Sequence, residues 1–220
     1  MENILIIGSS GHARVVIDII EKDSKYNIVG LIDSFAPKGN VVLGYPILGN
    51  EHDIPEIIIT YKINAGIIAI GENWDRYIVY QKVIKIYKSL RFVNAIHPNA
   101  VIGKNVVLGQ GVVVMPGAII NSNCIIEDFC VINTKASLDH DSHMKSFSSL
   151  APGVTTGGYV EIGNYSAIFI GSIIVPRISI GNHTAIGGGS FVNKSVPDNV
   201  VAFGIPAKVI RPCNNDDKYL

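Results

Sequence analysis

Charge is scarce in this chain. Only 16% of its 220 residues are charged, eighteen basic against eighteen acidic, for a formal net charge of zero. Without a basic excess there is little to displace counterions from a phosphate backbone, which argues against nucleic acid as the main partner. Long apolar runs are missing too. Although 48% of the residues are hydrophobic, no stretch approaches the ~20 residues of a membrane span. Cysteine is limited to Cys124, Cys130 and Cys213, an odd number without framework spacing, which points to a reducing compartment. Met1 runs straight into NILIIG with no basic leader, so no signal peptide is expected and a cytoplasmic location is. The six histidines are not spaced to converge three imidazoles on one zinc ion, so no metal is expected.

What the chain has in abundance is a period of six. Residues 96–197 divide into seventeen consecutive hexads, from IHPNAV, IGKNVV and LGQGVV to IGGGSF and VNKSVP, with no insertion. The first residue is Ile, Leu, Val or Met in every hexad except the one that starts at Thr156. The fifth is small or β-branched, as at Ala100, Val106, Val112, Ala118, Cys124 and Cys130. The second is often Gly, Asn, Asp or Glu. A six-residue period is neither helical nor simple alternation. It is the pattern of a solenoid in which one short strand and one turn recur. With three hexads to a triangular coil, the aliphatic first residue points inward and stacks on the residue eighteen positions later. The fifth also points inward, near the corner, which makes Cys124 and Cys130 small buried hydrophobes. Gly and Asn at the second position are expected to supply the dihedrals of a tight corner. The hexads amount to between five and six coils.

Upstream, NILIIG reads as a buried strand, GSSGH as a Gly-rich turn and ARVVIDIIEK as a helix with Val15, Val16, Ile19 and Ile20 at helical spacing. That order is the first half of a dinucleotide-type βαβ unit. The amides of Ser9 to His12 are then placed to face an anion at the helix N-terminus, although Gly8-x-x-Gly11 also fits a simple tight turn. NIVGLID is a second strand, ending at Asp33, where such folds place an acidic residue against a ribose or base. Residues 41–50 read as loop, 56–71 as further strands ending at Gly71, and 73–89 as an amphipathic helix whose Trp74, Tyr77, Tyr80 and Tyr87 serve packing. At about 90 residues this domain lacks a second mononucleotide half, so it suits one nucleotide better than NAD.

The succession NILIIGSSGHARVV, LID, AIGEN, the hexads and GIPAKVIR resembles one family from Asn3 to Arg211: the bacterial nucleotide-sugar acetyltransferases. These are UDP-, dTDP- and GDP-4-amino-sugar N-acetyltransferases of surface-polysaccharide and glycoprotein sugar biosynthesis, with sialic acid O-acetyltransferases of the same build. The resemblance implies a small α/β Rossmann-like nucleotide-sugar-binding domain (residues 1–93), a left-handed parallel β-helix acetyltransferase domain (94–211) and a flexible tail (212–220). It also implies a homotrimer with the active site between subunits and acetyl-CoA as co-substrate. By the same resemblance Ser10, Gly11 and His12 contact the nucleotide-sugar, and Asp33 and Gly71 read its base or ribose. The second acidic residue often found after Asp33 is here Ser34. The family's general base falls on His140, in LDHDSH, with an acidic neighbour at Asp141. Another family histidine that touches acetyl-CoA is replaced by Ser149, a role that His143 or Ser149 is left to cover. Ile170 and Gly188 amides bind the cofactor, and Lys208 approaches its phosphates.

The chemistry needs little more. An amine attacks a thioester directly, given proximity, one base near neutrality and a donor for the developing oxyanion. DHDSH is the densest ionisable cluster in the repeats. Because successive strand residues face opposite ways, Asp141 supports His140 only if the corner turns the chain there, and Asp139 is the rival. Acetylation of a sugar hydroxyl and non-catalytic sugar-nucleotide binding are the alternatives.

Overall fold

The opening apolar run builds the centre of a sheet. β1 (Glu2–Ile7) buries Ile4 to Ile7 to at most 2% exposure, as a strand covered on both faces does. The computed structural model describes residues 1–214 and residue 217. It divides into two units, Met1–Gly71 with Asp75–Pro98, and Glu72–Trp74 with the chain from Asn99 onward. In the first unit, α1 (Gly11–Asp23) buries Val16, Ile17, Ile19 and Ile20. The strands β2 (Tyr26–Ile32), β3 (Val41–Val42), β4 (Tyr45–Gly49), β5 (Ala65–Ile68) and β6 (Arg91–Phe92) complete a sheet of order β3-β4-β2-β1-β5-β6. All its pairings are parallel except β3 with β4. Ile7 pairs with both Ile32 and Ile68, so Ser9, Asp33 and Ala69–Gly71 follow the strands at the same carboxyl edge, where such sheets bind ligands.

Two expectations fail here. Residues 41–50 are a β-hairpin, not a loop: Val42 pairs with Tyr45 across Leu43 and Gly44, both at positive φ (48° and 88°). Two left-handed residues make the tight turn that matches strand twist, but a leucine in the first of them hides the signal. The stretch 56–71, expected as strands, gives one strand at Ala65–Ile68, while its first residues belong to α2 (Ile54–Tyr61). Their β-branched residues suggest a strand, yet Ile54, Ile57 and Ile58 bury one helical face while Ile59 is 77% exposed. Pro55 suits the first turn, and Lys62 caps the helix at φ 53°. The aromatic helix appears as α3 (Asn73–Ile86).

The second unit is the left-handed parallel β-helix. Two-residue strands pair with their counterparts eighteen positions away on three faces. The first face runs Val113, Val131, Ser149, Ala167, Ala185. The second runs Val101, Ile119, Ser137, Thr155, Ile173, Phe191. The third runs Val107, Ile125, His143, Glu161, Ser179. First-position side chains point inward as expected: Ile120, Ile126, Ile132, Leu138, Met144, Leu150 and Ile162 are fully buried. So are the fifth-position Cys124, Cys130, Ala136 and Ser148.

The corner dihedral, however, belongs to the fourth position and not the second. Fifteen consecutive fourth positions, from Asn105 to Gly189, have φ near +60°, and only five of them are glycine. Each of the ten non-glycine residues held there costs of order 1 kcal/mol. The N–H of a fourth residue reaches the preceding coil, as Asn123 does to the Lys104 carbonyl at 3.0 Å. Second-position glycines serve close approach instead. A Cβ on Gly103 would lie 2.6 Å from the Ser122 nitrogen, and one on Gly163 2.5 Å from the Gly181 carbonyl carbon.

Corner residues stack as their spacing dictates. Between the third and first faces the rings of Phe129, Phe147, Tyr165 and His183 follow one another at 4.9, 5.7 and 4.5 Å. Trp74 meets Tyr165 edge-on at 5.3 Å, and Asn73 donates to the carbonyls of Tyr165 and Ser166. Trp74 is thus a packing residue, and burial holds His183 below its ordinary pKa against the pull of Asp198. At the C-terminal end Val200–Gly204 and Ala207–Pro212 form an antiparallel pair. Cys213 is buried, its N–H bonded to the Asn199 carbonyl at 2.8 Å, so the start of the expected tail is tied down. Residues 215, 216 and 218–220 of that segment lie outside the described residues.

Candidate active site

His140 is the third residue of the hexad 138–143, which turns the coil from the second face to the third, and hydrogen bonds hold the backbone on either side of it. The Asp139 N–H donates to Thr156 Oγ1 at 3.0 Å, and the His140 N–H to Asp139 Oδ1 at 2.8 Å. The Asp141 N–H donates to the Ser122 carbonyl, and the Tyr159 N–H to the His140 carbonyl. Asp141 occupies the left-handed fourth position at φ 56°. That dihedral returns its side chain toward His140, whose Nδ1 lies 2.7 Å from Asp141 Oδ2. Asp139 is turned to the backbone and to Asn121 Nδ2 at 2.7 Å. The corner thus does what strand alternation forbids, and the imidazole's carboxylate is Asp141. The hydrogen bond from His140, aided by Asn123 and Tyr159, holds the Asp141 carboxyl below the ordinary range.

The imidazole is about half exposed. Tyr159 meets it edge-on at 5.3 Å, and the Arg177 guanidinium lies over that phenol ring, 4.7 Å from its centroid. Beneath the imidazole lies Gly158, where a Cβ would come within 2.7 Å of His140 Cε1 and 2.8 Å of Nε2. When Nδ1 carries the proton and donates it to Asp141, Nε2 keeps a lone pair and can accept a proton. The carboxylate then stabilises the imidazolium that forms.

The remaining expected residues of this unit separate. Ile170 and Gly188 come together: the Gly189 N–H donates to the Ile170 carbonyl at 2.8 Å. Both line a groove of about 380 Å³ with Phe169, Ala185, Gly187 and Arg211. Lys208 is an exposed strand residue opposite Phe203, outside that lining. Arg211, which the sequence reading passed over, is the cation in the groove, and its guanidinium also holds the Asp217 carboxylate. Ser149 lies on the face that carries Ala185, two coils before it. His143 is on a different face, its Nε2 2.8 Å from Glu127 Oε1. The groove and His140 sit at different corners of the coil.

In the first unit, Ser9 Oγ donates to Asp33 Oδ2 at 2.6 Å, and the amides of Phe35 and Ala36 donate to Oδ1. Burial pushes the Asp33 carboxyl up, but these bonds outweigh it and hold the group below its ordinary value. Ser34 donates to the buried carboxylate of Glu51, which follows β4. Ser10 is the N-cap of α1 with no side-chain cap bond, and Gly11 is exposed. His12 packs beside Gly71, where a Cβ would lie 3.9 Å from the histidine Cβ. The Nε2 of His12 is buried without a hydrogen-bond partner. Arg76 is fully buried, donating to the carbonyls of Ile70 and Gly71.

Burial, with the nearby Arg76 charge, lowers the His12 pKa from 6.5 to about 4. The folded state therefore holds His12 neutral where the unfolded chain would protonate it. Its stability is complete above pH 6.5 and is lost as pH falls from there toward 4. Between pH 7 and pH 5 this amounts to about 2 kcal/mol. His12→Gln is expected to flatten the pH dependence of chemical denaturation across that interval; an identical slope in both proteins would show that His12 is solvated.

Among the described residues no three His, Cys, Asp or Glu side chains come together as a metal set. Among the described residues no helix is long and apolar enough to cross a membrane. Residues 3–83 match the PglD N-terminal domain, and residues 99–134 match the bacterial transferase hexapeptide of six repeats. Galactoside O-acetyltransferase of Escherichia coli is 47% identical over 62 residues, 27% of this chain and 30% of that protein. The enzyme of the same name from Lactococcus lactis is 51% identical over 47 residues, 23% of its length. The chain thus spans less than a third of these curated relatives. Among solved structures, a histidine variant of perosamine N-acetyltransferase from Caulobacter crescentus, in complex with CoA and GDP-perosamine, is similar over almost the whole chain. Its TM-score is 0.89 at 33% identity, covering 96% of this chain and 97% of that one. The acetyltransferase domain of PglB from Neisseria gonorrhoeae, in complex with acetyl coenzyme A, gives 0.87 at 26% identity, covering 95% and 99%.

Proposed function

We propose a function from one premise: the chain belongs to the bacterial hexapeptide-repeat nucleotide-sugar acetyltransferases that carry a PglD-type N-terminal domain. It transfers the acetyl group of acetyl-CoA to the amine of a nucleotide-linked 4-amino-4,6-dideoxy sugar. The observation that carries this reading is the His140–Asp141 pair at an exposed corner of the coil. The neutral amine attacks the thioester carbonyl carbon. His140 Nε2 takes the proton that the nitrogen must lose, and the collapsing adduct expels the CoA thiolate, which recovers a proton. Asp141 holds the imidazole and stabilises its charged form. Ser10, Gly11, His12, Asp33 and Gly71 serve the nucleotide end. Asp33, whose carboxylate is fixed by Ser9 Oγ and by the amides of Phe35 and Ala36, presents a held anion to a ribose or base donor.

Acetyl-CoA lies along the groove of Ile170 and Gly188, with Arg211 in the phosphate-facing part first assigned to Lys208. Since groove and imidazole occupy different corners, one chain does not complete the site. A homotrimer, in which one copy's groove meets another's His140, does. The sugar O-acetyltransferase reading draws on the galactoside O-acetyltransferase matches, but these span under a third of this chain.

Release of the CoA thiol can be followed with GDP-, UDP-, dTDP- and CMP-linked 4-amino sugars and their 4-hydroxy counterparts. Turnover is expected with an amino sugar. Turnover only with hydroxy sugars, or with none, overturns the assignment.

A further inference from the structure

We infer that Asn123 is a positioning residue for His140, acting through Asp141 from the preceding coil. Asn123 and Asp141 occupy the same corner position eighteen residues apart, both with φ near +60°. Asn123 Nδ2 donates to Asp141 Oδ1 at 3.2 Å, while the other oxygen of that carboxylate, Oδ2, faces His140 Nδ1 at 2.7 Å. Asn123 is itself held from one coil further back, where Asn105 Nδ2 donates to its Oδ1 at 3.1 Å. The run Asn105–Asn123–Asp141–His140 is therefore a chain of hydrogen bonds that converges on one carboxylate, with Asn123 donating to Oδ1 and the ring to Oδ2.

The physical need for such a chain is plain. An exposed Asp–His pair is weak, because solvent competes for both groups and each side chain loses rotational freedom in forming it. A carboxylate free to swing would present either oxygen, or neither, to the ring. A donor fixed on Oδ1 leaves Oδ2 as the acceptor for Nδ1–H. That selects the tautomer in which Nε2 carries the lone pair, in the way outer partners orient histidine ligands in metal sites. The backbone beneath the donor is rigid, since the Asn123 N–H is bonded to the Lys104 carbonyl.

Asparagine at a left-handed corner has a second explanation, its tolerance of positive φ. The variant must separate the two. Asn123→Gly keeps the backbone freedom and deletes the carboxamide. Lys135→Gly makes the same change at a left-handed fourth position, φ 56°, of another corner.

This inference rests on the reading of His140 as the base, so the experiment carries a readout independent of turnover. Full-length protein labelled with 15N at histidine reports the imidazole tautomer, with the His140 signals identified by their loss in His140→Ala. The wild type is expected to hold Nδ1–H almost exclusively, and Asn123→Gly to show a mixture of tautomers. In the acetylation assay Asn123→Gly is expected to lose about ten-fold in kcat, with the KM for acetyl-CoA within two-fold of wild type. A wild-type tautomer and wild-type kcat in Asn123→Gly overturn the inference. So does an equal loss in Lys135→Gly, which would make the effect general to the coil. If no sugar is acetylated by any protein while the tautomer still responds to Asn123→Gly, the positioning role stands and the assigned reaction fails.

Discussion

His140→Ala is expected to lower kcat by between about 10²- and 10⁴-fold while leaving the acetyl-CoA dissociation constant within about two-fold. The size follows from what the residue supplies. An amine attacking a thioester must shed a proton as the adduct forms, and a base in place contributes that range. The split between kcat and binding follows from geometry. Ile170, Gly188 and Arg211 line the groove at another corner of the coil, and no hydrogen bond from His140 holds their backbone. Truncation also leaves the turn intact, because its backbone bonds run through Thr156, Asp139 and Ser122 and not through the imidazole. The measurement is steady-state kinetics beside calorimetric titration of CoA. Undiminished kcat removes His140 from the chemistry; a large loss of CoA affinity would move it into the groove.

Gly158→Ala should be nearly as damaging to turnover and far less so to the fold. The added methyl would sit 2.7 Å from Cε1 and 2.8 Å from Nε2 of His140, distances no Cβ tolerates. Gly158 is not at a left-handed corner position, so alanine carries no dihedral penalty there. The half-exposed imidazole yields before the backbone does, and Nε2 moves by a few tenths of an ångström or more. A misplacement approaching 1 Å costs about 10²-fold in rate. The expected result is a kcat reduced by about 10- to 100-fold with a melting temperature within a few degrees of wild type. A fully active Gly158→Ala would mean that the ring has another productive position.

The solenoid was legible in the sequence because its rule is repeated seventeen times and a first-position aliphatic residue has only one place to go. What the residues hid was the corner. Only five of the fifteen left-handed fourth positions are glycine, so phenylalanine, lysine, tyrosine and histidine mask a dihedral that glycine would have advertised. The more visible glycines at the second position drew attention to the wrong residue. The same masking by Leu43 concealed the hairpin at residues 41–50. At the candidate site, His140 stood out through its ionisable neighbours, but the choice between Asp139 and Asp141 turned on a dihedral that no residue type announces. Thr156 did give notice. The single break in the aliphatic column lies in the coil after His140 and holds the Asp139 amide. Gly158, Asn123 and Arg211 left no mark, because their roles arise from residues eighteen positions away or on another strand.

The three-sided winding also fixes where chemistry can be moved. His140 and Ile170 are thirty residues apart, five hexads. Splicing out a single hexad between them would swing everything downstream by one third of a revolution and carry the groove of Ile170 and Gly188 to a different edge of the prism. Splicing in three would restore its compass bearing and merely raise it by one storey, ~5 Å along the axis. Length changes in this stretch are thus quantised: multiples of eighteen keep the phase, and all others scramble it.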